Sequence, residues 1–301
     1  MGSGAVVDIA ELQAFTAVAD LGSFSGAAER LYVTQPAVSK RIAHLESTMD
    51  ARLFDRVGRQ VLLTEAGRAL YPHAVRILAE IEDSRRDLRN LSGRIEGPLS
   101  LATSHHVGLH RLPPILRLCR SRFPGVRMDL RFMASEAAYR AVAEGEVELA
   151  VVTLSPEPVS GLKAEALWID RLVPAAAAHG ALSGREALQP GDLNAMPAIL
   201  PGPGTFTRGI VDRALAAVGV TPTVDLSTNF LETIKMMVSV DLGWSVLPVR
   251  MIDGDVMMLT LPGLEMTRAL GVLRHPGRTL SNAAAAMLAL LREQAGGLQP
   301  T

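Results

Sequence analysis

Up to residue 91 the apolar residues of this chain recur at three- and four-residue steps; after Gly93–Pro98 they switch to short alternating runs interleaved with helical ones. A helical period lays one stripe of a helix against a core, and an alternating period lays one face of a strand there. A chain that changes period in this way is expected to hold a helical unit followed by an α/β unit. With 301 residues it is long enough for each to bury a core of its own.

In the first part Ile9, Leu12, Phe15, Val18 and Ala19 share one helix face, which ends at Leu21-Gly22. Ser25 is expected to cap a second short helix running to Leu31. Thr34 is expected to cap a third, which carries Pro36 in its first turn and continues to about Met49. Arg56 and Arg59 around Gly58, followed by alternating Val61 and Leu63, read as a hairpin, and Thr64 as the cap of the next helix. Along that helix Leu70, Ala74, Ile77, Ile81, Ser84, Leu88 and Leu91 alternate steps of four and three, a heptad seam that wants a partner. Pro72 and Ser84 interrupt it, so packing on its own domain competes with pairing to a second copy; pairing is the favoured expectation.

Lys and Arg total 30 against 31 Asp and Glu, so any grip on nucleic acid must come from a local surface and not from a global field. The segment from Thr34 to Arg41 offers one. Ala37, Val38, Ile42 and Leu45 supply a packed side, while Gln35, Ser39 and Lys40 lie on or near the opposite one. A glutamine can bond adenine bidentately, and Ser39 or Lys40 can reach bases or phosphates; Thr34 and Ser25, at helix starts, suit phosphates.

Beyond the break, strands over 99–103, 126–132 and 149–153 enclose helical spacing over 109–122 and a helix that Ser135 should cap and that ends at Glu144, a βαβαβ run. A second set has strands near 162–167, 172–177, 244–247 and 257–261 with helices near 205–218 and 231–240, followed by a strand at 271–273 and a helix over 282–294. Two α/β lobes are implied, and in such folds a ligand sits between the carboxyl ends of strands. The candidates there are Thr103, Ser104 and His105 after the first strand, Ser135 and Thr153, the loop residues Gly202, Thr205 and Phe206, and Asn229 at the start of a helix. Each hydroxyl or amide also serves equally well as a plain helix cap. His106 and His110 form an i, i+4 pair able to face a metal, but no neighbouring Cys, Asp or Glu in the sequence completes a shell, so no metal is expected.

Gly22-Ser23-Phe24-Ser25-Gly26-Ala27-Ala28, Thr34-Gln35-Pro36-Ala37-Val38-Ser39, Leu45-Glu46, Leu53-Phe54-Asp55-Arg56 and Leu63-Thr64-Glu65-Ala66-Gly67 occur in this order, and together they strongly resemble the LysR-type transcriptional regulators. The resemblance implies an α plus α/β multidomain chain. Residues 8–66 would form a winged helix-turn-helix and 67–93 a linker helix for dimerisation. Residues 97–295 would form a two-lobed effector domain similar to type 2 periplasmic binding proteins, with lobe I over 97–165 and 268–295 and lobe II over 166–267. It further implies that Ser25, Thr34, Gln35, Pro36, Ser39, Lys40 and Arg41 face double-stranded promoter DNA and that Arg56 and Arg59 are wing contacts. A homotetramer built from dimers and an operator of the T-N11-A type are implied as well, with RNA polymerase as a further partner.

A small organic anion is expected as the effector in preference to a neutral or aromatic molecule, with Ser104 as its foremost contact and no other cofactor. An enzyme is disfavoured, because Ser104 lies in no Gly-x-Ser-x-Gly elbow and no carboxylate is assigned to orient a histidine. The lone Cys119 is expected as a small buried hydrophobe. Apolar runs such as Leu172–Ala178 fall short of a membrane span, and the first residues do not read as an export leader, so a cytoplasmic protein is expected.

Overall fold

The computed structural model describes residues 6–57, 60–183 and 188–296, which group into two compact units meeting at Leu91/Ser92. The first unit opens with α1 (Ile9–Leu21), α2 (Phe24–Arg30) and α3 (Gln35–Met49). Asp8 and Glu11 form a capping box at the start of α1, and Gly22 closes it in a left-handed conformation. Ser23, and not Ser25, caps α2: its extended backbone lets its hydroxyl accept from Gly26 N at 3.1 Å, which leaves Ser25 exposed in the first turn. Phe15, Val18, Ala27, Val38, Ile42, Leu45 and Leu53 form the core that fixes the three helices.

Strands β1 (Phe54–Val57) and β2 (Gln60–Leu63) pair antiparallel as the wing. Its entry is held by Glu46 of α3, whose carboxylate accepts from Leu53 N at 2.8 Å. The long helix α4 (Glu65–Asn90) starts at a Thr64 cap and runs through Pro72 without a break. A Cβ at Gly67 would lie 2.2 Å from the Leu53 carbonyl, so α4 packs on the wing only because that residue has no side chain. Of the heptad positions, Ala74 and Leu70 pack into this unit's core, whereas Ile77, Leu88 and Leu91 are exposed at 47, 71 and 83%.

The second unit begins with β3 (Gly97–Thr103), α5 (His105–His110), α6 (Leu112–Arg122), β4 (Val126–Phe132), α7 (Ser135–Glu144) and β5 (Leu149–Thr153). The parallel pairings β3–β4 and β3–β5 complete the expected βαβαβ run. The single helical stretch expected over 109–122 is two helices joined at Arg111. Ala134, with extended backbone, precedes α7, so Ser135 is its first residue and not its cap.

Where the sequence suggested two strands there is one, β6 (Lys163–Ala177), and the lobe boundary drawn at residue 165 falls inside it. It is followed by α8 (Pro190–Asn194), β7 (Pro197–Leu200), α9 (Phe206–Ala217), β8 (Thr223–Ser227), α10 (Leu231–Ser239), β9 (Ser245–Pro248), β10 (Val256–Met258), β11 (Met266–Arg274) and α11 (Asn282–Gly296). Strands β6 and β11 run antiparallel through both lobes: β11 pairs with β5 in the first, while β6 pairs with β9 and β10 in the second. A bulge at Leu270/Gly271 bends their ladder, and a Cβ at Gly271 would meet the Glu165 carbonyl at 2.1 Å.

The crossing strands feed both cores. Trp168 and Leu270, register neighbours, pack with Leu99, Leu149, Met287 and the buried Cys119. Leu172 and Met266, register neighbours four residues along, pack instead with Leu200, Leu215 and Trp244.

Substituting Gly67→Ala is expected to cost about 1–3 kcal/mol of stability by overpacking. Urea unfolding of the full chain checks this: a midpoint equal to wild type would mean that the approach to the Leu53 carbonyl does not constrain the wing.

Candidate DNA-binding helix and effector cleft

In the first unit α3 buries Val38, Ile42 and Leu45 and exposes Gln35, Pro36 and Lys40, with Ser39 and Arg41 half-buried. Gln35 Nε2 donates to Ser39 Oγ at 3.0 Å, so these two polar side chains are ordered as a pair on the open face. Thr34 occupies the N-cap position but makes no capping hydrogen bond, which leaves its hydroxyl available. Arg56 lies on β1 opposite Val61, and Arg59 is outside the described residues. Tyr32 is 95% exposed in the turn before α3, with φ of 54°, a conformation that costs a bulky aromatic and is rare for one.

Within the second unit a cavity of about 400 Å³ opens between the lobes. Lobe I contributes Ser104, His105, Phe132, Met133, Ser135, Glu136 and Thr153; from the other side come Thr205, Thr207, Asn229 and Phe230, and Arg268 lines it from β11, the strand that runs through both lobes. Ser104 precedes α5 and makes no capping bond. His105 meets the edges or faces of Phe132 and Phe230, with ring centroids 6.1 and 5.0 Å away. Thr205 caps α9 by accepting from Arg208 N at 3.2 Å. Glu136 reaches across from lobe I to accept from Phe206 N at 2.6 Å, so the start of α9 already holds a carboxylate.

Three expected residues do not line the cavity. Thr103 is fully buried and donates to Val151 O at 2.8 Å, a bond that ties β3 to β5. Gly202 lies beside it, with its N–H donated to Asn229 Oδ1 at 2.9 Å. Phe206 turns its ring onto Tyr139, 5.2 Å away, in the lobe I core. Asn229 lines the cavity but does not open α10, whose N-cap is Phe230; its carboxamide oxygen accepts from Gly202 N instead.

The residues that sequence reasoning missed are charged and buried. Asp170 of β6 and Arg268 of β11 are register partners, with Arg268 Nη2 donating to Asp170 Oδ2 at 3.1 Å. Arg111, between α5 and α6, donates to Asp170 Oδ1 at 2.7 Å and lies over the Trp168 ring. Burial opposes charge on Asp170, but the His106 imidazole and the two guanidinium groups outweigh it and hold its carboxyl far below the usual range. Burial in turn lowers the pKa of Arg268, which also donates to Thr207 Oγ1 at 3.2 Å. Its Nε is buried and has no partner.

Glu232 of α10 accepts from His110 Nε2 at 2.9 Å and lies 3.3 Å from His106 Nδ1. Burial raises the pKa of Glu232, but hydrogen bonds from His106, its own backbone and His110 bring it down to about 2. The acid that the sequence did not supply to the histidine pair therefore comes from the far lobe. Nothing in local spacing signals this, because the residues are more than a hundred positions apart and meet only when the lobes face each other.

Asp170→Ala is expected to cost about 3–5 kcal/mol, because two buried guanidinium groups lose their counter-charge. Glu165→Ala, in an exposed pair with Arg292, should cost below about 1 kcal/mol. Parallel urea titrations check the ranking, and equal losses would refute it.

Comparison with known proteins places these two units. The model described as bacterial regulatory helix-turn-helix protein, lysR family, matches residues 9–68, and that described as LysR substrate binding domain matches residues 92–296. An HTH-type transcriptional regulator in the ibpB-leuC intergenic region of Azotobacter vinelandii is 67% identical over 108 residues, 36% of this chain and 75% of that protein. A protein of Cyanophora paradoxa named "Probable RuBisCO transcriptional regulator" is 31% identical over 91% of this chain and 88% of its own length. Among solved structures, full-length CbnR complexed with its target DNA superposes with a TM-score of 0.64 at 21% identity, covering 95% of this chain and 99% of that one. The helix-turn-helix with its wing and the two-lobed domain, each matched along its length, show that the chain belongs to the LysR family of bacterial transcriptional regulators.

Proposed function

We propose that this regulator docks on promoter DNA through α3 and is switched by a small organic anion held between its two lobes. The buried Arg268 carries the effector reading. A buried guanidinium in the cavity wall whose Nε has no partner among the described residues is a costly arrangement in the free protein, and an anionic oxygen in the cavity would repay it. Ser104, Thr207 and Thr205 add hydroxyls around the same space, with Ser135 and Thr153 behind them. Phe132, Met133 and Phe230 give it apolar walls suited to the carbon body of such an anion.

Residues 8–66 are assigned to DNA docking, 67–93 to pairing of subunits and 97–295 to sensing. Gln35 and Ser39 read base edges in the major groove, Thr34, Lys40 and Arg41 approach phosphates and bases, and Ser25, Arg56 and Arg59 contact the duplex beside them. The DNA complex of CbnR supports this role for the winged unit. The exposed Ile77 and Leu88 of α4, with Leu91 at its C-cap, form the seam with a second copy, and dimers assemble into tetramers. RNA polymerase is the further partner at the promoter, in the cytoplasm; among the described residues no helix is long and apolar enough to cross a membrane. Effector binding changes how the lobes close, which alters the spacing of the DNA-binding units on the operator.

The effector reading is tested by thermal shift of the full chain against small carboxylic acids and their neutral amides. Acids should raise Tm, and Ser104→Ala should lose most of that rise; amides as effective as the acids would remove the anion from the proposal. On DNA, Gln35→Ala should narrow the affinity gap between a T-N11-A operator and random duplex. Arg56→Ala should weaken both equally and reduce the salt slope by about 1. Gel-shift titrations at several salt concentrations check this, and an unaltered gap in Gln35→Ala would take that residue out of the readout.

A further inference from the structure

We propose that His106, His110 and Glu232 form a binding site for a divalent transition-metal ion, of the zinc class, that bridges the two lobes beside the cleft. The two histidines stand one turn apart on α5, and the carboxylate comes from α10 of the other lobe. One ligand atom from each lies within 4.8 Å of the others, the spread of a first coordination sphere before a cation draws it together. Two imidazole nitrogens and one carboxylate oxygen suit Zn²⁺, Co²⁺ or Ni²⁺, and do not suit Ca²⁺ or Mg²⁺, which take oxygen.

Two further observations point to a cation. His106, whose side chain is only 6% exposed, stands between two carboxylates: Nδ1 lies 3.3 Å from Glu232 Oε1, and Nε2 lies 3.7 Å from Asp170 Oδ2. A neutral imidazole has one N–H, so it turns a lone pair toward one of these anions. A metal on Nδ1 removes the conflict, because Nε2 then carries the proton and faces Asp170, the carboxylate–histidine–metal arrangement that fixes a ligating imidazole. Buried Glu232 Oε2 also has no partner. Protonating His106 would resolve the same conflict, but His110 converges on the same Glu232 oxygen with its ring centroid 4.6 Å from that of His106. One ion on Nδ1 of His106, Nε2 of His110 and Oε1 of Glu232 would satisfy all three groups at once.

Three protein ligands leave at least one coordination position open. His106 and Leu231 both line the cavity, so an ion held here would sit next to the effector space. An ion here ties α5 to α10, so metal occupancy and lobe closure are coupled.

The test uses full-length protein stripped of metal with a chelator and titrated with Co²⁺. One equivalent should produce visible d–d absorption bands, which Zn²⁺ then bleaches. His110→Ala and Glu232→Gln, each shown to be folded by its thermal transition without metal, should bind at least about ten-fold more weakly. His275→Ala should bind as wild type does. The proposal is overturned if the wild-type protein gives no bands at stoichiometric Co²⁺, which would leave a protonated histidine latch, or if both site variants bind as tightly as wild type. Metal binding is read directly, so the result does not depend on the identity of the effector.

Discussion

Asp170 faces Arg268 across the β6–β11 ladder and receives Arg111 on its other oxygen, in a place almost closed to water. Side chains alternate along a strand, so Trp168, Asp170 and Leu172 share one face of β6, as Met266, Arg268 and Leu270 share one face of β11. The apolar neighbours on either side of the ion pair belong to different cores. The charges therefore occupy the seam between two hydrophobic domains, where a polar pair interrupts neither core and marks the floor of the cleft. Burying an apolar pair there would fuse the cores; burying a lone charge would be prohibitive, and two guanidinium groups against one carboxylate make the arrangement tolerable.

From that seam the remaining features of the cleft follow. Arg268 is held by Asp170 on one side and Thr207 on the other, which fixes its guanidinium in the cavity wall. His106 leans toward the same carboxylate and passes the connection to Glu232 of the opposite lobe. Glu136 makes a second bridge, to the start of α9. Polar bridges of this kind suit two lobes that must close over a ligand and reopen, because each contact exchanges with water at modest net cost. An apolar interface of the same extent would lock them.

The winged unit depends on closer packing. Glu46 holds the strand entry, and Gly67 lets α4 approach the Leu53 carbonyl, so the hairpin and the helix that follows it are fixed by backbone contacts. These constraints lie within the motif segments that carry the family resemblance. A motif of this kind records where the backbone comes too close for a side chain as much as it records contacts to DNA.

Local order was legible because it is written in periods and caps. The α3 boundaries and the buried strand over 149–153 follow from spacing, and the start of α4 from the Thr64 cap; Thr34 holds the N-cap position of α3 without a capping bond, and α4 runs on through Pro72. Errors fell where two residues compete for one role: Ser23 displaced Ser25, Ala134 displaced Ser135 and Phe230 displaced Asn229, because the backbone conformation at each position decides the cap and a hydroxyl or amide is not sufficient. By itself the sequence determined the helical head, the α/β body, the family and most of the hydroxyls around the cleft. Tertiary structure alone decided that Thr103, Gly202 and Phe206 are taken up by packing, and that Arg111, Asp170, Arg268, His106, His110 and Glu232 form one connected polar chain. The physical reason is distance along the chain: ion pairs and shared ligands have no period, and they exist only once distant strands and helices have been brought together by the burial of their apolar faces.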